Sequence, residues 1–466
     1  MKINHLPDMS RRAFLQRSAA LGITGALAPW AMQLSLLGEA AAAVTEKNVD
    51  EADYKALVCI FLGGGNDHAN TLVPCDAEHH AAYAAIRSSL ALDRELLQEY
   101  ALSPRSALGD GLQFALAPGL APLKPLWDSQ RLAIQLNVGP LIVPTSLAQF
   151  KSGSVPLPPK LFSHNDQTSI WQSGMSEGAR SGWGGRMGEM LLASNRESSF
   201  TAISASGNAV FLSGRHMARY QISPRGAIPI HGVRRALYGS PRCQTALHQL
   251  ITQADPNLFG NEYNRVVRRS IDAQARIDQA LARSPTLKTV FDENNPLAQQ
   301  LGMVARMIAA HAHLGVRRQV FLVELNGFDT HDDLLERHSE LLPQLATAMR
   351  AFHDATVELG MEQNVTAFTA SDFGRTLTSN GDGSDHGWGS HHFIMGGAVK
   401  GRQFYGAAPA IAVNGPDDVG QGRLLPTTSV DQYAATFARW MGVPANELAQ
   451  VMPNIGNFSA SDLGFV

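Results

Sequence analysis

Five side chains far apart in the chain are of the types that bind a divalent cation: Asp67, Asp329, His331, Asp372 and His386. The densest supply is the stretch TASDFGRTLTSNGDGSDHGWGSHHF, Thr369 to Phe393, which holds three aspartates, an arginine and three histidines among glycines. It has little apolar side chain to bury. Neutral imidazole and carboxylate are ligands for zinc and similar ions. Carboxylates gathered at one point repel and raise each other's pKa, and a cation removes that penalty. Each residue alone also has a plain structural reading, since Asp caps turns and a glycine-flanked His often sits in a loop. What joins them is their position relative to the predicted strands.

Those strands are short apolar, β-branched runs closed by turn signals. They begin at Tyr54 (YKALVCIFLGGG), Arg131, Ser199, Arg318 (RQVFLVELNG), Asn364 (NVTAFTASD) and His391. Amphipathic helical patterns lie between them: His79–Leu90, Gly185–Ala193, Glu262–Arg283, Asn295–Leu314, Leu334–Leu359 and Asp431–Met441. The alternation predicts an α/β fold, a mostly parallel sheet with helices on both faces. In open sheets of this kind ligands sit beyond the carboxyl ends of the strands. Asp67 and His68 follow the first strand, Asp329 and His331 follow ELNG, and Asp372 follows FTAS. One edge of the sheet therefore receives all three groups. Arg375, three residues after Asp372, has the fork geometry to clamp a tetrahedral oxyanion. Gly63–Gly65 forms a tight turn whose amides could also face an anion.

Bulk composition narrows the class. The 466 residues are 44% hydrophobic and 17% charged, with a formal net charge of -3. This describes a globular protein with a large core, and no basic run suggests nucleic acid as a partner. Cys59, Cys75 and Cys243 have no CxxC spacing, so neither a zinc finger nor a disulfide framework is expected. The stretch from Pro144 to Pro159 reads as a loop or flap, and 211–258 as an insertion.

The amino terminus has a separate role. Arg11 and Arg12, then Phe14 and Leu15, a mildly apolar segment and an alanine-rich end resemble a twin-arginine export signal over residues 1–43. Pro29 and Gln33 interrupt the apolar segment, which argues for cleavage near Ala42 or Ala43 and no stable membrane span afterwards. Residues 44–466 are then a single periplasmic or otherwise exported domain. Residues 1–42 hold four cations and two acids, a net of +2, leaving -5 on the remainder.

Six motifs in order, FLGGGNDHANTLVP, SHNDQTSIWQSG, ELNGFDTHDD, TASDFGRT, DHGWGSHHFIMGG and TTSVDQYAATFARWMG, resemble the exported bacterial family called domain of unknown function fifteen-oh-one. That family looks like a distant branch of the alkaline phosphatase and sulfatase superfamily. The resemblance implies an alkaline phosphatase/sulfatase-like α/β fold with a metal centre of one or two divalent ions, whether zinc, calcium or manganese. Asp67 matches the ligand after the first strand, Asp329 with His331 the second motif, Asp372 the strand-end ligand and His386 the final histidine. Phe373 stands where the superfamily has His or Asn, so the second metal site lacks a ligand unless Asp385, His391 or His392 supplies it. Counting ten residues back from Gly174 to the superfamily's nucleophile position reaches His164, next to Ser163. His164 is thereby a metal or substrate ligand, a nucleophile or a structural residue, and formylglycine chemistry is argued against. Thr71 is a remote alternative nucleophile. The implied activity is hydrolysis of a phosphate or sulfate ester, small or polymeric, with His164 and Arg375 as catalytic candidates. The alternative is a non-catalytic, metal-stabilised binding or assembly protein of the cell envelope, with an exported protein partner.

Overall fold

The computed structural model describes residues 53–466, apart from 231, 234 and 235. The expected export signal lies outside the described residues. Strand β1 (Lys55–Gly63) forms the centre because its residues are apolar on both faces. Ala56, Val58, Ile60 and Leu62 enter one core, while Leu57, Cys59 and Phe61 enter the other. Side chains alternate along a strand, so a continuous apolar run needs cover on both sides. On the first face the cover comes from two helices described below, Pro296–Ala309 and Leu334–Glu358; on the second, from Trp183–Leu191 and Val430–Met441.

In chain order the other strands are β2 (Leu72–Pro74), β3 (Phe114–Leu116), β4 (Leu132–Gly139), β5 (Ala202–Ser204), β6 (Tyr220–Ser223), β7 (Gly226–Ala227) and β8 (Arg318–Asn326). They continue with β9 (Val365–Ser371), β10 (Arg375–Ser379), β11 (Ser384–His386), β12 (Ser390–Gly396), β13 (Phe404–Tyr405) and β14 (Thr428–Ser429). The main sheet runs β13-β4-β12-β9-β1-β8-β5-β6-β7, with β14 also paired to β4. Within it β12 is antiparallel to β4 and β9, and β7 to β6; the other pairings are parallel. The fold is therefore the expected mostly parallel α/β sheet with helices on both faces.

The longer helices are α1 (Ala77–Arg87), α2 (His164–Ser173), α3 (Trp183–Leu191), α4 (Pro241–Thr252), α5 (Leu258–Arg283), α6 (Pro296–Ala309), α7 (Leu334–Glu358) and α8 (Val430–Met441). α2 was not predicted as a helix: HNDQTSIWQS has few apolar residues, and burial of Ile170 and Trp171 anchors it. α8 starts with a reciprocal capping box between Ser429 and Gln432. The segment 211–258 contains β6, β7 and α4 and extends one edge of the sheet. Among the described residues no helix is long and apolar enough to cross a membrane. Register settles which ends meet. Gly63 pairs with Asn326, and Leu62 with Ser371, so β1, β8 and β9 end at one level of one edge.

Candidate metal centre at the strand ends

Asp372 leaves β9 at that edge. Its Oδ2 accepts the Gly64 amide at 3.2 Å and lies 2.6 Å from Nδ1 of His164, the first residue of α2. The hydrogen bond that His164 donates to Asp372 raises its pKa above the usual value, against the opposing effect of burial. The other ring nitrogen, Nε2, is buried without a hydrogen bond and lies 3.4 Å from Asp329 Oδ2.

Asp329 sits just past β8. Its Oδ1 is 2.7 Å from Arg375 Nη1, 3.1 Å from His331 Nε2 and 3.5 Å from His386 Nε2. Burial would raise the Asp329 carboxyl, but the hydrogen bond and charge of Arg375 outweigh it and hold the pKa low. The two histidines point Nε2 at Nε2, 2.9 Å apart. His386 places Nδ1 2.7 Å from the Phe162 carbonyl, which assigns its proton to Nδ1 and leaves Nε2 as an acceptor or ligand. Burial also depresses the His386 pKa and favours the neutral ring. Phe373 fills the space behind, its ring 4.7 Å from that of His164 and 4.6 Å from that of His386.

These donors suit a divalent ion. His164, Asp329 and His386 each present a ligand atom within 4.8 Å of the others. An orphaned imidazole nitrogen, a second imidazole with its tautomer fixed and a carboxylate held ionised form a donor set of the kind zinc accepts. Above them lies an open cleft of about 520 Å³, whose walls include His164, Asp329, Asp372, Gln172, Asn208 and Glu324.

Six of the seven sequence candidates meet here, and Asp67 is the exception. Its carboxylate is fully buried, accepts the Ala69 amide and forms an ion pair with the Arg87 guanidinium of α1. Burial works to raise its pKa, yet Arg87, then His338 and His68, leave it lowered. Asp67 is thus a structural anion paired away from the cluster. Arg375 also differs from expectation. It is fully buried behind Asp329, donating to Asp329, Gly64 O and Ser384 O, and it does not line the cleft. Its guanidinium fixes the Asp329 carboxylate and has no free face for an oxyanion. Thr71 Oγ1 donates to the Asp67 carbonyl and Ser163 Oγ to Asp166. Of the spare ligands, Asp385 Oδ1 is 3.5 Å from His331 Nδ1, whereas His391 and His392 are buried in β12. Sequence reasoning missed Glu324, Thr168, Gln172 and Asn208 on the cleft wall. Glu324 was readable as the one acid within the apolar β8 run; the others carried no signal.

No curated protein sequence matches the chain. Several solved structures are similar to it. One is Ps i-CgsB in complex with k-i-k-neocarrahexaose, at 9% identity over 86% of this chain and 77% of that one, TM-score 0.36. Another is the PsFucS1 sulfatase from Pseudoalteromonas sp., at 8% identity over 89% and 73%, TM-score 0.35. The lipoteichoic acid synthase LtaP from Listeria monocytogenes is similar at 8% identity over 90% and 81%, TM-score 0.32. The profile of one family, described as Protein of unknown function (DUF1501), matches residues 54–452, and the chain belongs to that family.

Proposed function

We propose that this chain is an exported, divalent-metal-dependent hydrolase of phosphate or sulfate esters, working at the floor of the cleft. The observation that carries this reading is the meeting of His164, Asp329, His331, Asp372 and His386 from four separate segments beside an open cavity. His164, Asp329 and His386 would hold the ion. Bound there, it supplies Lewis acidity toward the ester oxygens. Asp372 keeps the His164 proton on Nδ1, so Nε2 faces inward as a ligand or nucleophile. Arg375 fixes Asp329. Glu324, whose carboxyl pKa burial raises, lines the cleft wall where it would serve as the acid for the leaving oxygen. Residues 1–43 supply the export route through the twin-arginine pathway.

One observation favours a second reading, a non-catalytic, metal-stabilised binding or assembly protein of the envelope. Both hydroxyls nearest to the nucleophile pattern, Ser163 and Thr71, are engaged elsewhere. The test is elemental analysis of the purified protein, then a screen of phosphomonoester, phosphodiester and sulfate-ester substrates with Asp329→Ala as control. Bound metal with ester hydrolysis, both lost in the variant, is expected. Metal without turnover favours the second reading, and a protein that binds no divalent ion overturns both.

A further inference from the structure

His386 offers Nε2 to the cluster only while its proton stays on Nδ1, and the group that keeps it there sits on an unfavourable backbone. Nδ1–H donates to the Phe162 carbonyl at 2.7 Å. Phe162 lies in a turn closed by the Ser163 amide on the Lys160 carbonyl, and both Lys160 and Phe162 are left-handed, with φ of 46° and 70°. A bulky L side chain disfavours that region and keeps it only where its surroundings over-determine it. A carbonyl aimed from such a turn needs a hold from outside the turn.

Two contacts supply one. The Phe162 ring packs at the margin of a small core of Leu141, Trp388 and Leu425. Arg423 also meets it, with the guanidinium carbon 4.9 Å from the ring centroid. A guanidinium over an aromatic face is attractive, the more so where water is partly excluded. The same group donates from Nε to the His386 carbonyl at 2.7 Å. One cation therefore touches both sides of the Nδ1 bond: the ring of the accepting residue and the backbone of the donating one. The tip that carries Arg423 is itself fixed, because the buried Asp418 carboxylate accepts the amides of Asn414, Gly420 and Gly422.

We propose that Arg423 is a positioning residue for His386: it clamps Phe162 in the left-handed turn, so that the Phe162 carbonyl keeps the imidazole proton on Nδ1 and Nε2 stays free to bind an ion. The consequence for metal rests on the reading of His386 as a ligand. The tautomer does not depend on it.

The test reads the tautomer in the metal-free protein, from proton–nitrogen correlation spectra of histidine-labelled chain at about pH 8, where an ordinary imidazole is neutral. His386→Asn identifies the signals. The wild type should show the Nδ1–H form. Arg423→Met keeps bulk beside the ring but removes the charge and the donors. It should give a mixture with the Nε2–H form and weaken zinc binding by about tenfold, the low end for loss of a group that orients a ligating histidine. Glycine adopts the left-handed turn without strain and leaves no ring to clamp. In a Phe162→Gly background Arg423→Met should therefore leave the tautomer unmoved and cost less than about twofold further in zinc affinity.

An Nδ1–H form that persists in Arg423→Met overturns the proposal. So does an equal shift on both backgrounds, which would trace the effect to the bond with the His386 carbonyl. If circular dichroism shows that Arg423→Met folds poorly, Arg423→Lys takes its place. It keeps a charge near the ring without the planar fork and should shift the tautomer to a smaller degree. No shift there overturns the proposal as well. A wild type that binds no zinc fails the ligand reading alone, and the tautomer in the variants still decides whether Arg423 is the clamp.

Discussion

His164 Nδ1 lies 2.6 Å from Asp372 Oδ2, and the same oxygen accepts the Gly64 amide. One carboxylate oxygen thus joins the start of α2, the turn after β1 and the end of β9. Rotation of the His164 ring would break the bond to Asp372, so Nε2 remains pointed at Asp329. The proton-holding partner of a ligating histidine typically governs both ring orientation and donor strength.

Asp372→Asn should therefore weaken metal binding by about ten- to a hundredfold while the fold stays intact. Zinc titration by calorimetry, with circular dichroism as the control for folding, measures this. Unchanged affinity would mean that Asp372 only shapes the backbone.

Asp67 and Asp329 should separate cleanly. Removing the Asp67 carboxylate leaves the Arg87 guanidinium buried and unpaired, and loss of one partner of a buried pair costs about 3–5 kcal/mol. Asp67→Ala should thus lower the urea midpoint sharply yet bind metal with near-native affinity. Asp329→Ala also strips the buried Arg375 guanidinium of its carboxylate and should lower the midpoint too, but unlike Asp67→Ala it should lose metal affinity. Equal loss of metal in both would return Asp67 to the cluster.

This contrast marks how far the sequence could be read. The buried strands were legible because β1 is apolar at nearly every position and β8 and β9 carry apolar runs closed by turn residues, and the edge rule then put Asp329, His331 and Asp372 at the sheet edge where they lie. Asp67 was assigned to the same edge on the same logic. The sequence could not show how the chain turns after β1, where Gly64 and Gly65 take φ of 117° and 86°. Nor could it show that α1 brings a buried arginine to meet Asp67. The role of Arg375 was misread for a related reason: a side chain's partners depend on packing that spacing does not encode. α2 went unseen because most of its residues are polar, so His164 was located by counting and not by periodicity.

Glu324→Gln should reduce turnover of alkyl esters by roughly a hundredfold and hardly affect nitrophenyl esters, whose leaving group needs no proton. Because burial raises the Glu324 pKa, its protonated form persists to higher pH than an ordinary glutamate allows. Activity on alkyl esters should fall as pH rises through that pKa, and the variant should lack this limb. Equal losses on both ester types would remove Glu324 from proton transfer.

Asp431 provides a pH test away from the cleft. It lies in the first turn of α8, almost fully buried. Its Oδ1 accepts the Asn454 amide at 2.8 Å, and its Oδ2 has no hydrogen-bond partner. Burial lifts its pKa to about 7, despite the opposing hydrogen bonds from Asn454 and the charge of Arg186. The unfolded value is about 3.9, so between these limits the folded state binds the extra proton. Its stabilising contribution is complete below the unfolded value and declines as pH rises, by roughly 1.4 kcal/mol per unit within the window. It is gone above about 7, where the folded carboxyl ionises. Asp431→Asn keeps an acceptor for Asn454 but cannot ionise. Relative to wild type, the variant should gain thermal stability steadily from pH 4 to pH 7 and hold a constant advantage above that. Melting curves of the two proteins that run parallel across this range would mean that Asp431 ionises in the folded protein at an ordinary pH.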